Sequence, residues 1–388
     1  MTMKLSSYFI TRKQPFFFAV FLAILPMFLS NLSGPILSFY ATRSNFPIPV
    51  FAYYYIWFEP TSWNRAKIDY PMLGRYASDD IKVMEEHIRW AKHAGIQGFI
   101  VSWKSTEKLN WRLEQLIKAC EKEDFQLMVV YQGLTFERNP LPIEKVSSDL
   151  DFFIKFYASS EAFGPFDKPV IIWNGTWEYS REEIDAVTKS RRGSINILAG
   201  EKSEQAYLRV ADLVDGNAYY WSSGNPKTFP GYQEKLESMG AAVHKQGGIW
   251  IPSAAPGFDG RLVGGTRVVE RQDGEMLRMQ FTAAMNSTPD LIGLISWNEF
   301  SENTHIEPSE TFGTKYLEVL GELLKMPELD LPDFDTSDLD PLEPYSEPVR
   351  VNTQNEQLIL GIGYDRIGAI AVLFVLVFAS SLILLLRR

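Results

Sequence analysis

Cysteine and histidine are scarce in this chain, and their scarcity restricts its chemistry. Cys120 is the single cysteine, so no intramolecular disulfide is possible, and its amphipathic surroundings favour a buried structural thiol. None of the four histidines (His87, His93, His244 and His305) has the spacing of a metal-binding motif. We therefore expect neither a metal site nor another cofactor.

Excess positive charge and glycine-rich phosphate turns are also missing. The chain has 38 Lys and Arg against 48 Asp and Glu, a net charge of -10, which argues against a nucleic-acid partner. Aromatic segments, "YYIWFEPTSW" and "FIVSWKST", stand where a nucleotide-binding sheet would carry its glycine-rich turn. What the 388 residues do supply is apolar material, 46% hydrophobic and 14% aromatic, enough for a large core.

Both ends of the chain have the pattern of membrane-directed segments. Basic residues precede the apolar run Phe16–Leu29, which is typical of a signal peptide or an uncleaved signal anchor over residues 1–45. The run Ile367–Leu386 is uncharged and ends in two arginines, which predicts a transmembrane helix over residues 367–386 with a cytoplasmic C-terminus. A buried core helix is the alternative for that run. The remainder of the chain would then be extracellular or lumenal and anchored in the membrane.

Between these ends, residues 46–325 alternate between strand-like and helical segments. Eight short, nearly continuous apolar strands alternate with eight helical stretches, which predicts an α/β chain folded as a (β/α)8 TIM barrel. A doubly wound open sheet is the runner-up. Residues 326–366 are rich in Asp, Glu and Pro without a period, which favours an extended stalk between the barrel and the membrane.

Aromatic and amide side chains recur where the barrel strands are predicted to end. In this fold the residues that act on a substrate come from the carboxyl ends of the strands. Aromatic faces suit the C–H faces of sugars, and amides suit their hydroxyls. A carbohydrate is therefore the expected partner. The candidate substrate-binding residues are Tyr55, Trp57, Trp103, Gln132, Tyr220, Asn298 and His305.

Two carboxylates stand after the last predicted strand, "DLIGLISWNEF". Glu299 comes at its end and Glu302 follows three residues later. Two neighbouring carboxyl groups can divide acid and base work when their surroundings separate their pKa values, and glycoside cleavage commonly uses such a pair. We therefore predict that Glu299 and Glu302 are the catalytic residues.

The stretch "ISWNEFSENTHIEP" resembles the strand-eight motif of glycoside hydrolase family 99, the endo-α-mannosidases, which reads N-E-W-x-E-G-T-x-I-E-P. "FAYYYIWFEP", "HIRWAKHAGIQGFIVSW", "IPSAAPGFDGR" and "TRVVERQDGE" resemble other segments of that family, so the resemblance covers about residues 51–320. It implies a retaining hydrolase of α-mannosides, with an α-linked oligosaccharide or polysaccharide as its partner. Glu299 would act as a base on the sugar's 2-hydroxyl, which forms a 1,2-anhydro sugar. Glu302 would protonate the leaving oxygen and then activate water.

This chain departs from the family pattern beside its catalytic pair. Phe300, Asn303 and His305 stand where the family has Trp, Gly and Gln, and Gln132 stands near an expected Glu. These differences leave open a hydrolase of another α-glycan. They also leave open a non-catalytic protein on the same barrel, which would bind glycans or take part in cell-envelope polysaccharide assembly.

Overall fold

The structure, a computed structural model, describes residues 46–65 and 67–326 and the backbone of residues 358–359 and 362–363. The predicted N-terminal signal or anchor, nearly all of the predicted stalk and the predicted transmembrane segment at 367–386 lie outside these residues. Within the part that is described, no helix is both long and apolar enough to cross a bilayer.

Parallel strands form the centre of the molecule and follow the eight apolar segments of the sequence. A small antiparallel pair of two-residue strands lies in the loop after the seventh of these segments. The strands are β1 (Val50–Tyr55), β2 (Gly98–Trp103), β3 (Gln126–Gln132), β4 (Val170–Asn174), β5 (Asn196–Ala199), β6 (Gly216–Ala218), β7 (Ile249–Ile251), β8 (Ser253–Ala254), β9 (Phe258–Asp259), β10 (Val268–Val269) and β11 (Ile292–Leu294).

The central sheet closes into a barrel. Its strand order is β7-β6-β5-β4-β3-β2-β1-β11-β8, and every neighbouring pair is parallel. Strands β7 and β8 are two halves of one segment, divided at Pro252, which has no N–H for the ladder. Both ends of the order are therefore the same stretch of chain, and the predicted (β/α)8 barrel is confirmed.

Within the described residues, one α-helix follows each barrel strand, as the alternating pattern predicts. The capping residues agree with the sequence as well: Asp80 accepts a hydrogen bond from the backbone N–H of Lys82, and Ser180 and Glu183 form a capping box. The helices are α1 (Ile81–His93), α2 (Glu107–Glu123), α3 (Ile143–Phe156), α4 (Arg181–Thr188), α5 (Glu204–Leu208), α6 (Tyr232–Lys245), α7 (Glu275–Asn286) and α8 (Lys315–Leu323).

Cys120 lies in α2 and is fully buried, with burial raising the pKa of its thiol well above the ordinary value. A thiol that keeps its proton in an apolar environment is a poor nucleophile. The prediction of a buried structural thiol is confirmed.

The last barrel strand is shorter than the sequence suggests. Strand β11 ends at Leu294, whereas the apolar pattern predicts a strand as far as Phe300. Two further backbone hydrogen bonds continue past it, from Ile295 N to Ala254 O (2.9 Å) and from Trp297 N to Tyr53 O (2.8 Å). The chain then turns back, because the N–H of Ile306 donates to Ser296 O (2.9 Å). Residues 298–305 therefore form a loop at the carboxyl end of the barrel, and we call it the carboxylate loop.

The buried ion pair of Arg112 should stabilise the fold more than an exposed ion pair does. Its buried guanidinium donates to both oxygens of Asp79 (2.7 and 2.8 Å) and to the carbonyl of Ile56 (3.0 Å). Arg112→Met should lower the free energy of unfolding by about 2–3 kcal/mol, because a buried charge pair loses one member while Asp79 stays partly in water. Urea denaturation measures this.

The control is Arg181→Met, because Arg181 pairs with both oxygens of Asp212 (2.9 and 2.8 Å) but is largely exposed. It should cost less than about 1 kcal/mol. Equal losses in the two variants would contradict the prediction that the buried ion pair of Arg112 stabilises the fold more than the exposed pair of Arg181.

Candidate active site at the carboxyl end of the barrel

Glu299 lies in the carboxylate loop with its side chain buried. Its backbone N–H donates to Ser296 Oγ (2.8 Å), and its Oε1 accepts from the backbone N–H of Ser301 (3.0 Å). The first contact holds the backbone at Glu299, and the second holds one oxygen of its carboxyl group.

Glu302 lies in the same loop and is partly open to solvent. Its backbone carbonyl accepts from the N–H of Asp259 in β9 (2.7 Å). Asp259 in turn holds Arg261 through its carboxylate (2.9 Å). The loop after the seventh strand therefore supports the carboxylate loop, and the "PGFDGR" segment lies at the site as the resemblance implies.

The two carboxyl groups interact electrostatically with each other. Burial, followed by the charge of Glu302, raises the pKa of Glu299 to about 8. Burial also raises the pKa of Glu302, an effect that the positive charge of Arg138 opposes. The pair thus retains a proton at a pH where an ordinary glutamate has none, and its titration belongs to both groups together.

Aromatic side chains form one wall beside the carboxyl pair. The hydroxyls of Tyr55 and Tyr220 lie 2.5 Å apart, and burial raises the pKa of both. Both phenols also interact with the charges of Glu299 and Glu302. Trp57 packs on Tyr55 with ring centroids 4.5 Å apart and is 41% exposed, so the wall extends to the solvent. The structure brings together five of the nine predicted site residues here.

Gln132 joins a row of polar groups across three neighbouring strand ends. Its amide nitrogen donates to Ser102 Oγ (3.0 Å), and its amide oxygen accepts from Asn174 Nδ2 (3.0 Å). Gln132 is partly exposed. This position at the carboxyl end of β3 is compatible with the predicted contact to a sugar hydroxyl.

Asn298 does not face the pocket, contrary to the prediction that it binds substrate. It is fully buried, its Oδ1 accepts from Tyr55 N (2.8 Å), and its Nδ2 donates to Tyr55 O (3.0 Å). The second amide hydrogen reaches Tyr76 Oη (3.3 Å). Its amide is therefore occupied by the protein and positions the carboxylate loop against β1.

Trp103 is also a packing residue rather than a sugar contact. It is fully buried, donates to Asn110 Oδ1 in α2 (3.0 Å), and packs on Phe153 in α3. Its indole therefore lies between the sheet and the outer helices. Side chains alternate faces along a strand, so the end of a strand alone does not say which face a residue occupies.

His305, the last residue of the carboxylate loop, packs inside the protein and does not reach the pocket. It is buried, stacks on Phe300 (4.0 Å between centroids), and lies between Asp69 Oδ2 (3.1 Å) and Arg271 Nη2 (3.3 Å). Arg271 also donates to His305 O (2.8 Å). Burial and the charge of Arg271 lower the pKa of His305 to about 4, so the ring is neutral at pH 7.

A second buried network lies next to Asn298, and little in the sequence indicates it. His87 lies between Tyr54 Oη (2.9 Å) and Glu307 Oε1 (3.1 Å), and Tyr76 donates to the other oxygen of Glu307 (2.8 Å). All four side chains are buried. The one available signal was Glu307 itself, a structural acid in the motif. Within the described residues, no cluster of His, Cys, Asp and Glu has the arrangement of a metal site.

Two kinds of comparison with known sequences point to one family. Residues 180–322 match the model of glycosyl hydrolase family 99. The glycoprotein endo-alpha-1,2-mannosidase of Rattus norvegicus is 23% identical over 282 residues, 64% of this chain and 59% of the relative. A glycoprotein endo-alpha-1,2-mannosidase-like protein of Danio rerio is 25% identical over 286 residues, 64% of this chain and 62% of the relative. The chain thus spans about three fifths of the length of these relatives.

Solved structures agree with the barrel. The structure of the GH99 endo-alpha-mannosidase from Bacteroides thetaiotaomicron superposes with a TM-score of 0.61 at 20% identity, covering 71% of this chain and 97% of that one. A second structure of that enzyme, in complex with BIS-TRIS-Propane, gives a TM-score of 0.63 at 19% identity and covers 71% of this chain and 96% of that one. The likeness shows the fold, and with the sequence matches it confirms the predicted resemblance to the family.

The raised pKa of Glu299 predicts a pH dependence of stability. The folded chain keeps a proton on this group that the unfolded chain releases near pH 4.5, so the stabilisation is complete below about 4.5 and is lost as the pH rises through about 8. Glu299→Gln cannot ionise. Its free energy of unfolding, relative to the wild type, should therefore increase between pH 4.5 and 8.5 in urea denaturation. Exposed Glu161→Gln is the control, and the same difference at both pH values for Glu299→Gln would refute the prediction.

Proposed function

We propose that this chain, a divergent relative of glycoside hydrolase family 99, is a retaining glycoside hydrolase that cleaves α-mannosidic linkages. One observation carries the proposal. Glu299 and Glu302 lie together at the carboxyl end of the barrel, and burial raises the pKa of both. Ionisation of such a buried pair lowers the stability of the fold. A catalytic site has a use for carboxyl groups with raised pKa values, whereas a protein that only binds glycans does not need them.

The proposed reaction uses the substrate's own 2-hydroxyl as nucleophile. Glu299 takes the proton of that hydroxyl while its oxygen attacks C1 and forms a 1,2-anhydro sugar. Glu302 gives a proton to the leaving oxygen and then takes one from the water that opens the epoxide, while Glu299 returns its proton to the 2-oxygen. Two displacements at C1 retain its configuration, and neither step requires a metal or an enzyme nucleophile.

The stereochemistry of this reaction selects the sugar. In an α-mannoside the 2-hydroxyl is trans to the leaving group, so it can attack C1 in line. In an α-glucoside it is cis to the leaving group, and the same attack is blocked. A manno-configured sugar at the cleaved bond therefore follows from the mechanism, with Tyr55, Trp57, Tyr220 and Gln132 as the residues that contact it.

The proposed roles require a particular placement of the shared proton. In the free chain Glu299 is the more buried of the two groups, and the charge of Arg138 favours ionised Glu302. The reaction requires the opposite arrangement, with Glu299 ionised and Glu302 protonated. Substrate binding must therefore move a proton between the carboxyl groups, and an experiment has to distinguish the acid from the base.

A substrate pair with good and poor leaving groups makes that distinction. Glu302→Gln should lose about 10²–10⁴-fold in kcat/KM on an α-1,2-linked mannobioside, because the leaving oxygen is no longer protonated. It should retain most of its kcat/KM for phenol release from an aryl α-mannoside, because that phenol leaves without protonation, while kcat falls because Glu302 no longer activates water in the second step. Glu299→Gln should lose a similar factor on both substrates, since deprotonation of the 2-hydroxyl is needed in each case.

The outcomes separate the alternatives. A reversed pattern would exchange the roles of the two residues. Wild-type turnover in both variants would refute their catalytic role. Tight glycan binding without hydrolysis by the wild type would favour a binding protein, and turnover of α-glucans in place of mannosides would move the substrate to another α-glycan. Product anomers read by NMR test retention.

The proposal places the barrel outside the cytoplasm, on a membrane anchor formed by residues 367–386. What supports it is the uncharged run before Arg387 and Arg388 and the basic N-terminal flank. A chain that ends at residue 366 should leave the membrane pellet for the soluble fraction after signal processing, with hydrolytic activity kept. If the shortened chain stays in the membrane pellet, the N-terminal segment anchors it instead.

A further inference from the structure

A lysine lies between two tryptophans at the same end of the barrel as the carboxyl pair. The ammonium nitrogen of Lys202 is 3.8 Å from the ring centroid of Trp177 and 4.3 Å from that of Trp221. All three side chains are partly buried. We call this arrangement the Trp–Lys–Trp stack.

The stack is built across three neighbouring strands. Trp177, Lys202 and Trp221 each come three residues after the end of a strand, namely β4, β5 and β6. These strands are adjacent and parallel, so their carboxyl ends lie at one edge of the barrel. Trp221 directly follows Tyr220, which contacts Tyr55 in the active-site wall. The stack therefore borders the candidate active site.

The ammonium group of Lys202 has no hydrogen-bond acceptor and no ion-pair partner among the residues that the structure describes. The adjacent carboxylate of Glu201 is directed to Arg209 instead (3.1 Å). An ammonium ion is strongly hydrated, and aromatic faces replace that hydration only in part. Two indoles thus hold a cation in place while its hydrogen-bond donors remain available.

Two further cations lie within electrostatic range of Lys202. Burial, followed by the charge of Arg138, lowers the pKa of Lys202, and the charges of Glu201 and Glu178 oppose that shift only in part. Burial and the charge of Lys202 lower the pKa of Lys235. Lys235 donates to Tyr219 Oη (3.2 Å), and within the described residues neither it nor Arg138 forms an ion pair with a carboxylate. Three cations gather here in a chain of net charge -10, and their mutual repulsion would be relieved by a bound anion.

We propose that the Trp–Lys–Trp stack binds an anionic group of the glycan, a phosphate monoester or a uronic acid carboxylate, on a sugar next to the cleaved bond. This proposal rests on the function proposed above. Lys202 contributes the charge, the indoles orient it and offer faces to the neighbouring sugar, and Arg138 and Lys235 strengthen the field. The site sets which glycans are cleaved and takes no part in bond breaking.

Matched substrates test the proposal. The substrates are a neutral α-linked mannobioside, the same disaccharide phosphorylated at a primary hydroxyl, and one with a uronic acid in place of the sugar beside the cleaved bond. The full-length wild type should prefer at least one anionic form by about tenfold or more in kcat/KM. Added NaCl should weaken that preference, because salt screens a partly exposed charge. The form that is preferred identifies phosphate or carboxylate as the ligand.

Variants assign the effect to the stack. Lys202→Met keeps the aliphatic packing between the indoles and should lose about 10–100-fold in kcat/KM on the preferred anionic substrate, with the neutral substrate within about twofold. Lys202→Arg keeps the charge and should retain most of the preference. Lys155→Met is the matched control, since Lys155 also contacts an aromatic ring, Phe156 (4.8 Å), but is exposed on α3. It should leave both substrates unaffected.

Several results would overturn the proposal. One is equal wild-type rates on neutral and anionic glycans, and another is an equal loss on both in Lys202→Met. If Lys202→Met fails to fold, two other results test the proposal. NaCl should weaken the wild-type preference for the anionic substrate, and Lys202→Arg should retain that preference; failure of both refutes the proposal. If no glycan is hydrolysed, the proposed function fails, and calorimetric binding then tests the stack alone: tighter binding of an anionic glycan supports it, and equal binding refutes it.

Discussion

The active end of this barrel depends on the amide of Asn298. Its oxygen accepts from Tyr55 N and its nitrogen donates to Tyr55 O, so one side chain pairs with β1 as a neighbouring strand would. The bond lies directly before Glu299 and just past the point where β11 stops. It therefore closes the barrel where the ladder has ended, and it sets Glu299 and Tyr55 side by side. Because Asn298 is fully buried, water cannot compete for these bonds.

The residues that depart from the family pattern support one another beneath the carboxylate loop. Phe300 stacks on His305, and Arg271 donates to Asn303 O (3.1 Å) and to His305 O. Asn303 has a φ of 49°, a left-handed conformation in which Gly is the easiest residue and Asn one of the few others that fit. Substitution of the expected Gly by Asn is thus compatible with an unchanged backbone. These differences alter the support of the loop, and they leave the pocket wall of Tyr55 and Tyr220 in place.

Two charge environments meet at the rim of the barrel. On one side, burial keeps a proton on the carboxyl pair. On the other, Lys202, Lys235 and Arg138 form no ion pair with a carboxylate among the described residues. A glycan that is neutral at the cleaved bond and anionic on the next sugar would fit both. In the proposed function the carboxyl pair would do the chemistry, and the Trp–Lys–Trp stack would choose the substrate.

The barrel and the two carboxylates could be predicted from the sequence, because the apolar period, the helix caps at Asp80 and Ser180 and the Glu299–Glu302 motif are local properties of the chain. Tyr55, Trp57 and Tyr220 could be predicted as well. The directions of the other strand-end side chains depend on the tertiary structure: Trp103 packs against α2 and α3, Asn298 bonds to the backbone of β1, and His305 bonds to Asp69. The tertiary structure also placed Lys202 between tryptophans 25 and 19 residues away. Those contacts join distant segments through the closed sheet, and no local pattern encodes them.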